Sequence, residues 1–275
     1  MKLSIITISY NNASGLKLTM ESVVNQHYDD FEYIVVDGGS KDGSVEVIES
    51  IVSKSKIDIH WISEPDKGIY HAMNKGIQMA KGDYLQFLNS GDKLAADDVL
   101  KLFSSRLPAN CPILYGNMLK NLPEGLYRDR GLAGKQIRFR DMFLGTLNHS
   151  PAWIKKELFN QYGLYDESLR IVSDWKWFLE VICLHRVNPV YTNLDITVFD
   201  MTGISNTQSD LEKNERKAVL LQMVPESVLN DMVDYSFHIE QVERLKRFPW
   251  LYKLFWFIER TIFRFEKSRN KKNFI

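Results

Sequence analysis

The sequence contains only two cysteines, Cys111 and Cys183, and they lie far apart in a chain of 275 residues. This excludes a disulfide framework or a cysteine-based metal site, because both need several closely spaced cysteines. Free core thiols in a reducing compartment are therefore expected. Basic and acidic residues number 35 each, so the formal net charge is zero. The chain has no overall field that favours nucleic acid, and we expect no nucleic-acid partner.

Three further signatures are missing. The apolar run at residues 3–8 is too short for a convincing signal sequence, so we interpret it as the first strand of a cytoplasmic protein. No Gly-x-Gly-x-x-Gly follows this strand, which disfavours a dinucleotide-binding dehydrogenase. Residues 7–15 have no glycine-rich triphosphate signature, which disfavours a nucleotidyltransferase.

The first ninety residues alternate between apolar strands and amphipathic helices. Strands are predicted at residues 3–10, 31–36, 57–62 and 84–88, and helices at residues 14–26, 45–52 and 69–79. This alternation predicts an α/β fold with a mostly parallel central sheet and helices on both faces.

Polar residues follow each predicted strand, at Tyr10-Asn11, Asp37-Gly38, Glu64-Asp66 and Asn89-Asp92. Each could be an ordinary turn. In parallel α/β sheets, however, ligands bind beyond the carboxyl ends of the strands, and all four segments belong to that edge. Their coincidence indicates a ligand site there.

A series of short motifs occurs in order along residues 2 to about 215. They are Ser4-Ile5-Ile6-Thr7, Tyr10-Asn11, Ser22-Val23, Gln26, residues 32–44, Glu64-Pro65-Asp66-Lys67-Gly68, Asn74-Lys75-Gly76, Gly82-Asp83, residues 88–92, His149 and residues 163–174. In this order and spacing they resemble the family-2 glycosyltransferases, which have the GT-A nucleotide-sugar fold. Within that family the chain resembles bacterial enzymes that build surface or exported polysaccharides.

The resemblance implies an inverting, metal-dependent transferase. It would move a sugar from a UDP-linked nucleotide-sugar donor to a hydroxyl of a glycan or a lipid-linked glycan. Residues 1–215 would form the GT-A catalytic domain, with a nucleotide-binding half at 1–95 and an acceptor half at 96–215. Residues 216–275 would form a helical C-terminal extension.

The resemblance also assigns the donor-binding residues. Thr7, Tyr10 and Asn11 would line the nucleoside pocket, where Tyr10 could stack on a uracil face. Asp37 would accept a hydrogen bond from the base, although an aspartate before Gly-Gly also suits a simple turn. A further set, formed by Glu64, Asp66 and Lys75, would bound the ribose and phosphate region. Lys75 could equally be a solvated helix charge.

Asp92 would contact a divalent metal, Mg²⁺ or Mn²⁺, on the diphosphate. The family usually has acidic residues at two or more positions of this turn, whereas this chain has Asn89-Ser90-Gly91-Asp92 with one carboxylate. One protein carboxylate suits an ion held mainly by phosphates and water. The alternative is a turn-forming or helix-capping aspartate.

Asp174 matches the catalytic base of the family, which takes a proton from the attacking hydroxyl. It could instead act only as a helix N-cap. Trp175 would face the acceptor. His149 would face the acceptor or the diphosphate, with a hydrogen-bonded structural histidine as an equal alternative. A non-catalytic sugar-nucleotide or glycan-binding protein remains the rival function. The single-carboxylate turn favours that rival, and Asp174 opposes it.

The C-terminal segment 244–272 is basic and rich in aromatic residues. Lys253, Arg260, Arg264 and Lys267 recur at spacings that place them on one helical face. The segment carries too many charges for a membrane-spanning helix. It predicts peripheral binding to an anionic surface on the inner face of the cell membrane. The alternative is packing on the catalytic domain or on a second subunit.

Overall fold

The computed structural model describes residues 3–203 and 207–271. The chain forms two compact units, Met1–Lys217 and Ala218–Ile275. The predicted basic segment 244–272 thus extends one residue beyond the second described range.

The first unit contains a nine-stranded sheet within its described residues. Its strands are β1 Leu3–Ser9, β2 Phe31–Asp37, β3 Ile59–Ser63, β4 Tyr84–Phe87, β5 Lys93–Leu94, β6 Ile113–Leu122, β7 Gly125–Asp129, β8 Ala152–Lys155 and β9 Val190–Phe199.

The helices are α1 Ala13–Val24, α2 Ser44–Val52, α3 Ile69–Met79, α4 Val99–Ser105, α5 Phe139–Leu144, α6 Lys156–Tyr162, α7 Ser173–Phe178, α8 Ser209–Met223, α9 Glu226–Lys246 and α10 Pro249–Lys271. A π-helical segment, Leu179–Leu184, continues α7.

The strand order is β3-β2-β1-β4-β8-β6-β9-β5, with β7 beside β6. The first four strands are all parallel, as the alternation of strands and helices predicts. Beyond them the sheet is mixed, because β8 pairs antiparallel with both β4 and β6. β6 therefore runs in the same direction as β4, and β9 runs parallel to β6. The carboxyl ends of β4 and β9 therefore meet at one edge.

The apolar sequence of β1 suits its position inside the sheet, between β2 and β4. All seven of its residues are buried, and successive side chains of a strand point to opposite faces. Leu3 and Ile5 join an apolar cluster with residues of α1, whereas Ile6 lies against Gly76 of α3. Helices thus cover both faces of the sheet, which confirms that prediction.

The close approach of α3 to β1 depends on Gly76. A Cβ atom at this position would overlap the buried Ile6 side chain. We expect Gly76→Val to lower the free energy of unfolding by about 1–3 kcal/mol through overpacking, measured by urea denaturation. The matched control is Gln78→Val, at an exposed position of the same helix, where only helix propensity of about 0.7 kcal/mol or less is lost. Equal losses for the two variants would contradict the steric argument.

Candidate active site

Two adjoining cavities lie at the carboxyl edge of the sheet. The Tyr10 cavity has a volume of about 430 Å³ and is lined by residues that include Tyr10, Asp66, Asp92 and Asp200. The Asp174 cavity has a volume of about 250 Å³ and is lined by residues that include Tyr70, Asp92, His149 and Asp174. The cavities share Ile69, Asn89, Asp92 and Phe199, so the Asn89–Asp92 turn lies between them.

Hydrogen bonds from α1 hold the Asn89–Asp92 turn in place. The hydroxyl of the buried Thr19 donates to the backbone carbonyl of Asp92 at 2.6 Å and accepts the Gly91 N–H at 2.9 Å. The Ser90 N–H donates to the carbonyl of Ile8 at the end of β1. The position of Asp92 is therefore fixed by backbone contacts that do not use its carboxylate.

Asp92 is only 3% exposed. Its Oδ1 accepts the backbone N–H of Asp200 at 2.8 Å, and its Oδ2 has no hydrogen-bond partner among the described residues. Burial raises the pKa of Asp92 to about 7, and the nearby charge of Asp200 adds to this rise, against the hydrogen bond from the Asp200 N–H. A buried carboxylate with a raised pKa at a strand end is a feature of functional sites.

Asp200 is a candidate residue that motif reading missed. It follows the last residue of β9 directly. Polar residues at the carboxyl ends of strands indicate a ligand site, but applying that rule to Asp200 requires the direction of β9 in the sheet. Asn89 adds a buried Oδ1 atom without a hydrogen-bond partner. Together these oxygens form a donor set that suits Mg²⁺ or Mn²⁺, both of which prefer oxygen ligands.

Asp174 lies at the start of α7 and faces its cavity. The hydroxyl of Tyr70 donates to Asp174 Oδ1 at 2.8 Å and also lies within hydrogen-bonding reach of the Ile171 carbonyl. No side-chain cap hydrogen bond is present at the start of α7. The N-cap alternative for Asp174 therefore has no support in the geometry.

His149 lies behind Asp174. Its Nδ1 is 4.0 Å from Asp174 Oδ2, and its Nε2 is 2.8 Å from the Tyr165 hydroxyl. Its ring stacks on Phe87 with centroids 4.8 Å apart. Burial lowers the pKa of His149, and the Asp174 charge opposes this only in part, so the neutral ring is favoured near pH 7. His149 lines the Asp174 cavity, and its hydrogen bond to Tyr165 and its stacking on Phe87 are also those of a structural histidine.

The predicted ribose and phosphate residues separate into two groups. Asp66 lines the Tyr10 cavity, and its Oδ1 accepts the Gly68 N–H. Glu64 and Lys75 pair with each other at 2.7 Å and are not among the lining residues of either cavity. The hydrogen bond from Lys75, and then its positive charge, lower the pKa of Glu64. The pair fastens the loop before α3 to that helix.

Three predicted nucleoside residues occupy structural positions. Thr7 is fully buried, and its hydroxyl donates to the Leu88 carbonyl at 2.7 Å, so it links β1 to the end of β4. Asp37 is also fully buried and accepts hydrogen bonds from residues 39, 40 and 63, which is the turn-forming alternative. The Oδ1 of Asn11 accepts the Lys41 N–H at 2.9 Å. Only Tyr10, 66% exposed, presents its ring to the cavity.

Trp175 does not face an acceptor in this structure. It is 2% exposed, and its indole N–H donates to the Met142 carbonyl at 2.8 Å. The guanidinium of Arg216 lies 4.6 Å from its ring centroid. On a helix, neighbouring side chains point in different directions, so Asp174 faces the cavity and Trp175 turns to the interior.

Another group of metal-ligating side chains, Glu32, Asp58 and His60, lies at the amino-terminal ends of β2 and β3. This is the edge of the sheet opposite to both cavities. Glu32 Oε1 is occupied by the Ser4 hydroxyl at 2.5 Å and by the backbone N–H groups of residues 81 and 82. It therefore stabilises the start of the sheet.

Comparison with known proteins agrees with this geometry. Residues 4–161 match the family described as Glycosyl transferase family 2, which is more than half of the chain. The chain belongs to glycosyl transferase family 2. The carboxyl-edge cavities, with Asp92 between them, are therefore the candidate active site of a glycosyltransferase.

Curated relatives of this family-2 glycosyltransferase include an uncharacterised glycosyltransferase of Mycobacterium tuberculosis. It is 34% identical over 217 residues, which cover 74% of this chain and 76% of that protein. A PGL/p-HBAD biosynthesis glycosyltransferase of Mycobacterium bovis is 27% identical over 214 residues, which cover 76% and 81% of the two chains.

Solved structures confirm the GT-A fold. S. aureus TarS 1–349 in complex with UDP-GlcNAc matches with a TM-score of 0.60 and 18% identity, over 72% of this chain and 58% of that one. The mannosyltransferase PcManGT from Pyrobaculum calidifontis, in complex with GDP-Man and Mn²⁺, matches with a TM-score of 0.58 and 16% identity, over 72% and 56%. The chain thus spans less than two thirds of these solved chains.

The raised pKa of Asp92 predicts a pH-dependent stability. Between about pH 4 and pH 7 the folded protein retains a proton that the unfolded chain releases, so the stability of the wild type falls as pH rises through this window. We expect Asp92→Asn to be the more stable protein at pH 8, by on the order of 2–4 kcal/mol, with the gap shrinking towards pH 5.

The measurement is urea denaturation in the presence of a chelator at pH 5, 6, 7 and 8. Asp97→Asn, at an exposed position, is the control and should show no such trend. A gap for Asp92→Asn that is constant across this range would contradict the burial argument.

Proposed function

We propose that this glycosyltransferase transfers a sugar with inversion from a nucleotide-sugar donor, UDP-linked, to a glycan hydroxyl. The observation that carries the proposal is that Asp92 and Asp174 line one cavity at the carboxyl edge of the sheet. Asp92 belongs to the turn where the diphosphate is expected, and Asp174 approaches from α7. One carboxylate then serves the leaving group, and the other serves the attacking hydroxyl.

In this mechanism Asp174 removes the proton of the acceptor hydroxyl as its oxygen bonds to the anomeric carbon. The bond from that carbon to the diphosphate oxygen breaks on the opposite face, and the nucleoside diphosphate departs. Tyr70 holds Asp174 through the hydrogen bond to Oδ1, which leaves Oδ2 for the proton. The transition state has oxocarbenium character, as in glycoside hydrolysis.

Metal dependence is part of the proposal. Asp92, with Oδ1 of Asn89, would hold Mg²⁺ or Mn²⁺, and the ion would offset the negative charge that develops on the leaving diphosphate. The Mn²⁺ in the structure of PcManGT supports this assignment.

The donor side is supported by the Tyr10 cavity and by the relatives. TarS structures contain UDP and UDP-GlcNAc, and the exposed Tyr10 ring offers a face on which a base can stack. Asp66, at the same cavity, can accept a hydrogen bond from a ribose hydroxyl.

The proposed activity is tested by measuring donor hydrolysis across a panel of nucleotide sugars with Mn²⁺. We expect Asp174→Asn to lower turnover by about 10²–10⁴-fold, the usual contribution of a general base, and to leave donor affinity within a factor of about two or three. Asp97→Asn, an exposed carboxylate outside both cavities, should match the wild type. Full activity of Asp174→Asn would remove it as the base.

The same panel separates the rival function. If the wild type binds a nucleotide sugar tightly but hydrolyses none and transfers none to saccharide acceptors, the protein is a sugar-nucleotide binding protein. If it neither binds nor turns over any donor, the proposed function is wrong.

We also propose that α10 binds an anionic membrane surface, where a lipid-linked acceptor would be encountered. Among the described residues, no helix is long and apolar enough to cross a bilayer. The helix nevertheless exposes large apolar side chains, with Phe257 at 69% and Phe265 at 72% exposure, beside Arg260 and Arg264. Exposed aromatic side chains interspersed with arginines suit insertion between anionic lipid headgroups.

Vesicle sedimentation tests this surface. We expect the full chain to bind phosphatidylglycerol vesicles more tightly than phosphatidylcholine vesicles, and Arg260→Glu with Arg264→Glu to weaken that binding at least about tenfold. Lys17→Glu with Lys54→Glu is the control, because it changes the net charge equally at exposed positions of the first unit. Deletion after Arg247 should abolish binding. Unchanged binding in the deletion variant would refute the membrane role.

A further inference from the structure

The loop after β9 brings a second carboxylate to the Asn89–Asp92 turn. The Asp200 N–H donates to Asp92 Oδ1 at 2.8 Å. Gly91 has a left-handed backbone with φ of 106°, and a Cβ atom there would collide with the Asp200 carboxylate. The glycine therefore allows the carboxylate of Asp200 to lie directly against the turn.

The Asp200 carboxylate is oriented by its own loop. The Thr202 N–H donates to Asp200 Oδ1 at 2.9 Å, and the Thr202 hydroxyl is 2.8 Å from Oδ1 and 2.9 Å from Oδ2. These donors use part of the acceptor capacity of the two oxygens, because a carboxylate has about four acceptor positions. Asp200 lines the Tyr10 cavity together with Asp92.

Two side-chain oxygens of the turn accept no hydrogen bond from the described residues. One is Oδ2 of Asp92, a residue that is only 3% exposed. The other is Asn89 Oδ1, which is itself buried from solvent. Free acceptors of this kind next to the Asp200 carboxylate form a site that a cation, rather than an anion or an apolar group, would complete.

We propose that Asp200 is a ligand of the divalent cation, and that it supplies from β9 the second carboxylate that the Asn89–Asp92 turn lacks. The inference rests on the proposed function, because the cation is the one that accompanies the nucleotide diphosphate. Mg²⁺ and Mn²⁺ sites of this kind combine one or two carboxylates with phosphate oxygens and water. The donor set of Asp92, Asp200 and Asn89 meets that requirement.

The alternative is that Asp200 only shapes its loop through Thr202. Asp200→Asn separates the two roles, because its side-chain oxygen can still accept from Thr202 while the negative charge is lost. Asp200→Ala removes both the ligand and the loop hydrogen bonds. Asp97→Asn is the matched control, since it removes one exposed carboxylate that lines neither cavity.

The experiment measures binding and needs no turnover. Mn²⁺ affinity is measured from the electron paramagnetic resonance signal of free Mn²⁺, and UDP affinity by calorimetry with and without Mn²⁺. In the wild type, Mn²⁺ should tighten UDP binding. In Asp200→Asn and Asp200→Ala we expect protein affinity for Mn²⁺, and the Mn²⁺-dependent gain in UDP affinity, to fall about tenfold or more, as the loss of a charged ligand implies. UDP binding without metal should not weaken in either variant, because each removes a negative charge beside the place proposed for the diphosphate.

Each outcome decides a separate point. Wild-type values in both Asp200 variants, or no Mn²⁺ binding by the wild type, would overturn the inference. If the wild type binds Mn²⁺ but no nucleotide, the proposed donor class is wrong, while the loss of Mn²⁺ affinity in Asp200→Asn would still support the ligand. Circular dichroism melting of each variant establishes that it is folded.

Discussion

The parallel pairing of β1 with β2 and β4 is the constraint on which the candidate active site depends. β1 is buried along its whole length, and its register with both neighbours aligns Ser9 with Asp37 of β2 and Ile6 with Phe87 of β4. That register places the polar ends of neighbouring strands at one edge. The hydrogen bond from the Ser90 N–H to the Ile8 carbonyl then fixes the turn that contains Asp92 to the end of β1.

The fixed position of the turn keeps the Asp92 carboxylate buried, although its burial is unfavourable for folding. Asp92 is desolvated, and the hydrogen bond from Asp200 compensates for this only in part. Thr19 holds the turn through its backbone, so the position of Asp92 does not require its charge to be stabilised by the protein. Sites that act on charged ligands commonly retain such unfavourable groups, because the ligand completes their interactions.

The proposed base, Asp174, is held differently from the turn with Asp92. Asp174 is reached by Tyr70 from α3 and by His149 from the loop before β8, so three separate segments define its position. The neutral state that burial favours for His149 leaves no full positive charge beside Asp174. This suits a carboxylate that must accept a proton from a substrate hydroxyl, since a neighbouring cation would stabilise the unprotonated form.

The sequence by itself determined the family, the α/β class and the turn with Asp92, because apolar periodicity and ordered motifs are local properties of the chain. It did not distinguish residues that line the cavities from those beneath them. Thr7, Asp37 and Trp175 are buried by contacts with distant segments. The motifs do not indicate Asp200, because its position beside the Asn89–Asp92 turn depends on the direction of β9 in a mixed sheet. Only the tertiary structure decides that direction, because it follows from pairing between strands far apart in sequence.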